Sequence, residues 1–147
     1  MKIGEFLKNA HQRLVTCLPD ETLEGVAKLM YAHEIGAMPV CELATHMVGI
    51  ISERDLVRVF ATANWEEVRY MRARDVMTKR VVSCGPEESV QHAQDVMREN
   101  HFRHLPIVHG GRVIGILSIR DTLALRLRES EEEIHVLRDA VVAARHR

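Results

Sequence analysis

The chain carries two copies of one segment, and this repeat constrains the fold more than any other feature. Residues 49–55 read Gly-Ile-Ile-Ser-Glu-Arg-Asp, and 66 residues later residues 115–121 read Gly-Ile-Leu-Ser-Ile-Arg-Asp. Two upstream segments recur at an offset of 67 residues: Val15–Pro19 as Val82–Pro86, and Met38–Val40 as Leu105–Ile107. The offset falls by one before Gly115, so one hairpin loop is a residue shorter. A repeat of this kind predicts two copies of one supersecondary unit.

Length and composition favour an ordinary globular protein. With 147 residues, 46% hydrophobic and 28% charged, the chain has room for one domain or for two half-domains that share a core. A net charge of −1 argues against a dedicated nucleic-acid partner. No apolar run approaches the ~20 residues that span a membrane, and Met1–Arg13 lacks the apolar stretch of a signal peptide. Because three widely spaced cysteines cannot all pair, we expect a reduced, cytoplasmic setting.

Each repeat reads as strand, helix, strand, strand, helix. In the second copy Val81–Ser83 is the expected first strand, and Gly110-Gly111 predicts a two-residue hairpin turn. We expect these ranges: repeat 1 over 7–62, an ordered linker over 63–77, repeat 2 over 78–127, and a C-terminal helical extension over 128–147. The linker is expected to pack because residues 61–80 contain no Gly, Ser or Pro. A short helix over Ile3–Ala10 is expected to cover the first repeat.

The last helix continues beyond the repeat, and its pattern fits two arrangements. Two sets of residues fall at the two core positions of a heptad: Leu127, Ile134 and Val141, and Ser130, Leu137 and Ala144. Opposite charges at Arg126 and Glu131, and at Glu133 and Arg138, suit a parallel two-stranded coiled coil. An amphipathic helix packed on its own domain fits equally well.

The repeated Ser-x-Arg-Asp follows a strand and begins a helix. Its members are Ser52, Arg54 and Asp55 in the first copy, and Ser118, Arg120 and Asp121 in the second. The serine and aspartate can simply form a capping box. The same geometry can bind a ligand, because a helix N-terminus offers N–H groups to a phosphate, the arginine adds charge, and the aspartate can accept from ribose hydroxyls. Recovery of all three residues in two diverged copies favours binding.

These motifs resemble a tandem pair of cystathionine-β-synthase (CBS) domains, a Bateman module. The resemblance covers about residues 7–127, and Phe102–Val108 and Asp75–Thr78 are similar to small stand-alone bacterial members. It implies an α/β (α+β) fold of two β-α-β-β-α units in pseudo-twofold arrangement, with two clefts between them. Such clefts take adenine nucleotides (AMP, ADP or ATP) or related adenosyl ligands, without a required cofactor. The resemblance also implies a homodimer.

The resemblance assigns roles to particular residues. Asp55 and Asp121 would hold ribose hydroxyls, and phosphate would be faced by Ser52, Arg54, Ser118 and Arg120. Backbone groups framing the adenine would come from four places: Thr16-Cys17, Ala37-Met38, Ser83-Cys84 and His104-Leu105. Where the second copy has Arg103-His104, the first has Gly36-Ala37. We therefore expect the second cleft to be the more cationic and the more strongly used.

Other chemistries have less support in the sequence. His101 and His104 lie three residues apart, but no further converging ligands are evident, so no metal site is predicted. Cys17 and Cys84 occupy equivalent positions and are expected to be small buried apolar residues. No catalytic motif is present, so no catalytic residue and no enzyme activity are expected. Three functions remain: a nucleotide-sensing regulatory module with a protein target in trans, an adaptor homodimer acting through its last helix, and a metal-binding stress protein.

Overall fold

The computed structural model describes residues 1–10 and 13–146. These residues form seven helices and four strands in the order α1 (Ile3–Ala10), α2 (Leu23–His33), β1 (Ala37–Glu42), β2 (His46–Ser52), α3 (Glu53–Thr62), α4 (Trp65–Val68), α5 (Ala73–Val76), α6 (Val90–Asn100), β3 (His104–His109), β4 (Arg112–Ser118) and α7 (Ile119–Arg145). His11 and Gln12 of the expected first repeat, and Arg147 of the expected extension, lie outside the described residues.

The strands form one antiparallel sheet with the order β1-β2-β4-β3. Each repeat contributes one hairpin, and the two hairpins meet at the pair His46 and Arg112. The second hairpin turns at Gly110 (φ 58°) and Gly111 (φ 77°), which confirms the predicted two-residue turn, because both positions need the left-handed conformation that glycine adopts readily.

The expected first strand of each repeat is shorter than the sequence suggests. Cys17 and Cys84 each make one parallel bridge, to Val40 and Ile107. The expected run Val81–Ser83 precedes this bridge and is irregular. A proline follows each cysteine by two residues and turns the chain toward the next helix, so the pairing does not extend.

Helix α1 packs on the second repeat, so the expectation that it covers the first is wrong. Ile3 and Phe6 are buried in the cluster formed by the core of the second repeat, which includes Met97. The amide of Ile3 donates to the carbonyl of Glu88 (2.9 Å), and that of Gly4 to the carbonyl of Pro86 (2.8 Å). The apolar face of this helix therefore finds its partner in the other half of the chain.

The linker makes the reciprocal contact with the first repeat. Val68 and Ala73 are buried with the first-repeat core, so this part of the linker packs on it. The amide of Ala73 donates to the carbonyl of Glu21 (2.8 Å), and that of Arg74 to the carbonyl of Pro19 (3.0 Å). We call α1 and the linker the leading segments, because each precedes one repeat along the chain. Pro19 and Pro86 are equivalent positions, so the two repeats exchange their leading segments, and neither core is completed by its own repeat alone.

Helix α7 runs without interruption from Ile119 to Arg145. Thr122 and Leu125 are buried against the second repeat, but every residue from Arg126 to His146 is exposed. The arrangement in which this helix packs back on its own domain is therefore wrong for residues 126–146. Across residues 1–10 and 13–146, no helix is both long enough and apolar enough to cross a membrane.

We predict that Phe6→Ala lowers the free energy of unfolding by about 3–5 kcal/mol, because it leaves a cavity in the core of the second repeat. The matched control is Phe60→Ala. Phe60 is 54% exposed and stacks on the ring of Trp65 with the ring centroids 6.0 Å apart, so the cost there should be about 1 kcal/mol. Urea denaturation measures both values, and equal small losses would contradict the exchange of leading segments.

Candidate functional site

A wide cleft of about 1270 Å³ lies between the two repeats. One wall comes from the first repeat: residues 13–15, the face of α2 that carries Met30 and Tyr31, and the turn into β1 at Gly36-Ala37. The other wall comes from the second repeat: Arg103-His104, the end of β4 and the start of α7. A molecule that fills this cleft must touch both repeats.

The start of α7 places three of the predicted residues in the cleft, namely Ser118, Arg120 and Asp121. Ser118 caps the helix, and its hydroxyl accepts a hydrogen bond from the Asp121 amide (3.0 Å). The Asp121 carboxylate in turn accepts from the Ser118 amide (3.4 Å). The amide of Ile119 donates to the carbonyl of Arg103 (2.8 Å), which fixes the first turn of α7 against the start of β3.

His104 faces Gly36 of the first repeat across the cleft. A Cβ atom added to Gly36 would lie 3.2 Å from His104 Cε1 and 3.0 Å from Glu53 Oε1, so a larger residue at position 36 would displace one of them. Burial lowers the pKa of the His104 imidazole below its ordinary value of 6.5, and the charge of Arg103 acts in the same direction. Glu53 and Asp121 oppose that lowering.

The cleft combines charged and apolar surfaces. Its cationic side chains are Arg13, Arg103 and Arg120, and its acidic ones are Glu34, Glu53 and Asp121. Apolar side chains complete the lining: Leu7, Leu14, Val15, Met30, Ile35, Leu56, Ile114, Ile116 and Ile119. This combination suits a molecule with an apolar ring system at one end and an anionic group at the other.

The first copy of Ser-x-Arg-Asp does not line this cleft. Asp55 is only 8% exposed, and its carboxylate accepts from the amide and the hydroxyl of Ser52, both at 2.9 Å. Arg58 Nη1 approaches the other carboxylate oxygen at 3.4 Å. Here the motif serves as a capping box for α3, the alternative that the sequence also allowed.

The end of the linker, at Met77, and the next residue, Thr78, cover the first copy on its β2 side. The amide of Ile50 donates to the carbonyl of Thr78 (3.0 Å), and the amide of Thr78 donates back to Ile50 (2.9 Å). Gly49 is needed there, because an added Cβ would lie 2.9 Å from the Thr78 carbonyl oxygen. The corresponding face of β4, at Gly115, lines the cleft.

The structure brings six of the predicted site residues together in the cleft: Ala37, Arg103, His104, Ser118, Arg120 and Asp121. The other seven do not line it: Thr16, Met38, Ser52, Arg54, Asp55, Ser83 and Leu105. Met38 and Leu105 are fully buried core residues.

The expected division of Gly36-Ala37 and Arg103-His104 between two separate clefts is wrong. Both pairs line the same cleft, on opposite walls. Because the two equivalent pairs face each other, they must lie beside the axis that relates the repeats. The difference between the copies therefore makes one cleft asymmetric.

Sequence reasoning missed the wall formed by Arg13, by α2 and by Glu53. Residues 13–15 immediately precede Thr16-Cys17, so the repeat pointed to the correct segment but to residues one to three positions too late. Met30 and Tyr31 carried no signal, because a methionine or aromatic residue on an amphipathic helix usually belongs to the core. Glu53 was not predicted because its counterpart in the second copy is Ile119, so the position is not identical in the two repeats.

A family model matches the chain twice. The model of the CBS domain matches residues 3–62 and residues 73–128. The chain therefore belongs to the CBS domain family and is a tandem pair of such domains. The chain spans between 34% and 65% of the length of the first curated relatives that it matches.

Solved structures show the same fold. The CBS-domain-containing protein ATU1752 from Agrobacterium tumefaciens is 31% identical, with a TM-score of 0.79 over 86% of this chain and 99% of that one. CBSX2 in complex with AMP is 21% identical, with a TM-score of 0.74 over 88% and 98%. The CBS domain pair of MJ0100, in complex with 5′-methylthioadenosine and S-adenosyl-L-methionine, is 22% identical, with a TM-score of 0.77 over 88% and 98%.

We predict that the lowered pKa of His104 makes the free energy of unfolding of the protein depend on pH. In the unfolded chain His104 binds its proton near pH 6.5, whereas in the folded chain it does so only at lower pH. Between these values protonation favours the unfolded chain, so the free energy of unfolding falls as the pH drops below 6.5. Well above that value both forms are neutral and the effect vanishes.

An NMR titration of the His104 Cε1 proton measures this directly, with an expected midpoint below 6.5. His104→Gln should also flatten that part of the curve of stability against pH. A midpoint at or above 6.5 would show that the imidazole is not buried between the repeats.

Proposed function

We propose that this CBS pair is a regulatory module that binds an adenine nucleotide or a related adenosyl compound in the cleft between its repeats. The observation that carries the proposal is a cleft in which an apolar surface, three arginines and the Ser118–Asp121 helix start lie together. The complexes of CBSX2 with AMP and of MJ0100 with adenosyl ligands support the same class of ligand.

The charges suggest how such a ligand would lie. Its phosphate, or another anionic group, would approach Arg120 and Arg103 at the positive end of α7. The ribose hydroxyls would donate to Asp121, and the adenine would lie on the apolar lining beside Val15 and Ile116. This orientation leaves the two repeats joined through the ligand.

Regulation then follows from the two-sided construction of the cleft. A ligand shifts a conformational equilibrium only by the difference in its affinity for the two states. A compound that contacts both walls favours the state in which the repeats hold their present relative position. A protein target in trans would bind differently according to that relative position. We also propose that the protein is a cytoplasmic homodimer.

We predict that AMP, ADP, ATP or S-adenosylmethionine raises the melting temperature of the protein. A ligand at about 100 times its dissociation constant adds about 2.7 kcal/mol of stability, which is a shift of several degrees in a protein this small. If none of these compounds raises the melting temperature, the proposed function is wrong.

The repeat supplies a matched pair of exposed variants. Arg120→Ala should weaken binding about 10- to 100-fold, because it removes a charge-assisted hydrogen bond. Arg54→Ala, the equivalent change, should leave affinity unchanged because Arg54 does not line the cleft. Isothermal titration calorimetry compares the two, and equal losses would assign binding to both copies.

The aspartates give a second comparison. Both Asp121→Ala and Asp55→Ala should cost about 0.5–2 kcal/mol of stability through a lost cap, but only Asp121→Ala should weaken binding. A loss of affinity confined to Asp55→Ala would place the ligand at the start of α3.

A second candidate function rests on the C-terminal helix. Leu127, Ile134, Leu137 and Val141 are each at least 50% exposed and repeat at heptad spacing. Because an isolated helix rarely leaves such a stripe in water, we infer that it pairs with the same helix of a second copy. The chain would then act as an adaptor homodimer, with or without a ligand in the cleft.

We predict that Ile134→Glu reduces self-association, since it places a charge in the apolar seam. The control is Val136→Glu, which alters an exposed valine on a different face of the same helix. Sedimentation equilibrium should give one 16.8 kDa chain for Ile134→Glu and twice that mass for the wild type and the control. Monomeric wild type would rule out this pairing, and a dimeric Ile134→Glu would place the interface elsewhere.

A further inference from the structure

Three side chains of the types that bind metal ions lie together away from the cleft, at the start of the second repeat. The ligand atoms of Cys84, Glu88 and His92 all lie within 4.8 Å of one another. His92 Nε2 is 3.2 Å from Glu88 Oε1. The three residues follow a regular spacing of four, which the sequence analysis did not single out among nine histidines and three cysteines.

The backbone around this cluster is held in place. Cys84 is fixed on both sides, since its amide donates to Pro106 (3.2 Å) and its carbonyl accepts from Val108 (2.9 Å). The Glu88 carbonyl accepts from Ile3 (2.9 Å). The amide of His92 is tied to the capping hydroxyl of Ser89 (3.0 Å). Three ligands on fixed backbone are the arrangement that a metal site needs.

The side chains differ in exposure in a way that suits an ion. Cys84 is buried, whereas the side chains of Glu88 and His92 are 43% and 54% exposed. One Glu88 oxygen already accepts from the amide of Gly85 (2.5 Å), which orients the carboxylate. An ion bound here would contact the buried sulfur of Cys84 on one side and solvent on the other, so a water molecule could complete its coordination.

The first repeat provides an internal comparison. The positions equivalent to Cys84, Glu88 and His92 are Cys17, Glu21 and Gly25. The first copy therefore retains the thiol and the carboxylate but lacks the imidazole, and Thr22 caps its helix through the Gly25 amide (3.0 Å). Only the second copy offers all three donor types.

We propose that Cys84, Glu88 and His92 form a binding site for a divalent transition-metal ion, with Zn²⁺ as the best match. A thiolate, an imidazole and a carboxylate are the donors that Zn²⁺ prefers, and three protein ligands plus water give its usual tetrahedron. Burial raises the pKa of the Cys84 thiol to about 11, with the charge of Glu88 adding to the effect. The thiol proton therefore leaves to solvent when the sulfur–metal bond forms.

Binding at this place would also strengthen the contact with α1. The loop that carries Glu88 is the one to which the amides of Ile3 and Gly4 are bonded, and Lys2 forms an ion pair with Glu87 in the same loop (2.9 Å). A metal ion that fixes this loop would stabilise the docking of the first leading segment on the second repeat.

The test is a titration of the reduced, metal-free full chain with Co²⁺ alone, followed by ultraviolet and visible spectroscopy. We expect one Co²⁺ per chain, a near-ultraviolet band from thiolate-to-cobalt charge transfer, and loss of that band when Zn²⁺ is added. Cys84→Ser should remove the band. His92→Gln, a change at an exposed side chain, should weaken Co²⁺ binding by at least about tenfold, the loss that follows removal of an important contact to a metal site.

The matched control is Cys17→Ser, which alters the equivalent thiol where no imidazole is present. It should leave the band and the stoichiometry unchanged. Circular dichroism of each variant shows whether it is folded, and His92→Gln carries the test if Cys84→Ser does not fold. The proposal is overturned if the wild type shows no charge-transfer band, if His92→Gln binds Co²⁺ as tightly as the wild type, or if Cys17→Ser alone removes the band.

Discussion

The exchange of leading segments between the two repeats is the contact on which the rest of the structure depends. Phe6 completes the second core and Ala73 completes the first, so each half supplies what the other lacks. Hydrogen bonds to the equivalent carbonyls of Pro19 and Pro86 fix both exchanges. Because small half-domains bury too little surface to fold alone, this reciprocal closure makes one cooperative unit from two short repeats.

The same exchange produces the cleft and its asymmetry. Residues 13–15 belong to the wall of the first repeat, where Arg13 and Val15 line the cleft opposite the start of α7. On the other side Thr78 pairs with Ile50, and Met77 at the end of the linker occupies the space beside Gly49. The two equivalent helix starts thus have different surroundings: both aspartates belong to a capping box, but Asp55 is buried, whereas Asp121 also lines the cleft.

Much of the fold could be predicted because the repeat fixes local order: hairpins, caps and helices follow from short motifs such as Gly110-Gly111. The partner of α1 could not, because an apolar helix face in a sequence does not say which half of the chain will bury it. For the site, the residues predicted from the second copy of Ser-x-Arg-Asp do line the cleft. The meeting of Gly36 with His104 depends on the symmetry axis, and the Cys84 cluster depends on three-dimensional spacing that no single motif records.

In the proposed function, one cleft built by both repeats receives the adenosyl ligand. The most direct measurement is a set of intermolecular nuclear Overhauser effects between bound AMP and the methyl groups of the protein. We expect contacts from the adenosine protons of one bound molecule to Val15 in the first repeat and to Ile116 in the second. Contacts confined to one repeat, contacts to Val48 and Ile50, or no contacts at saturating AMP would contradict it.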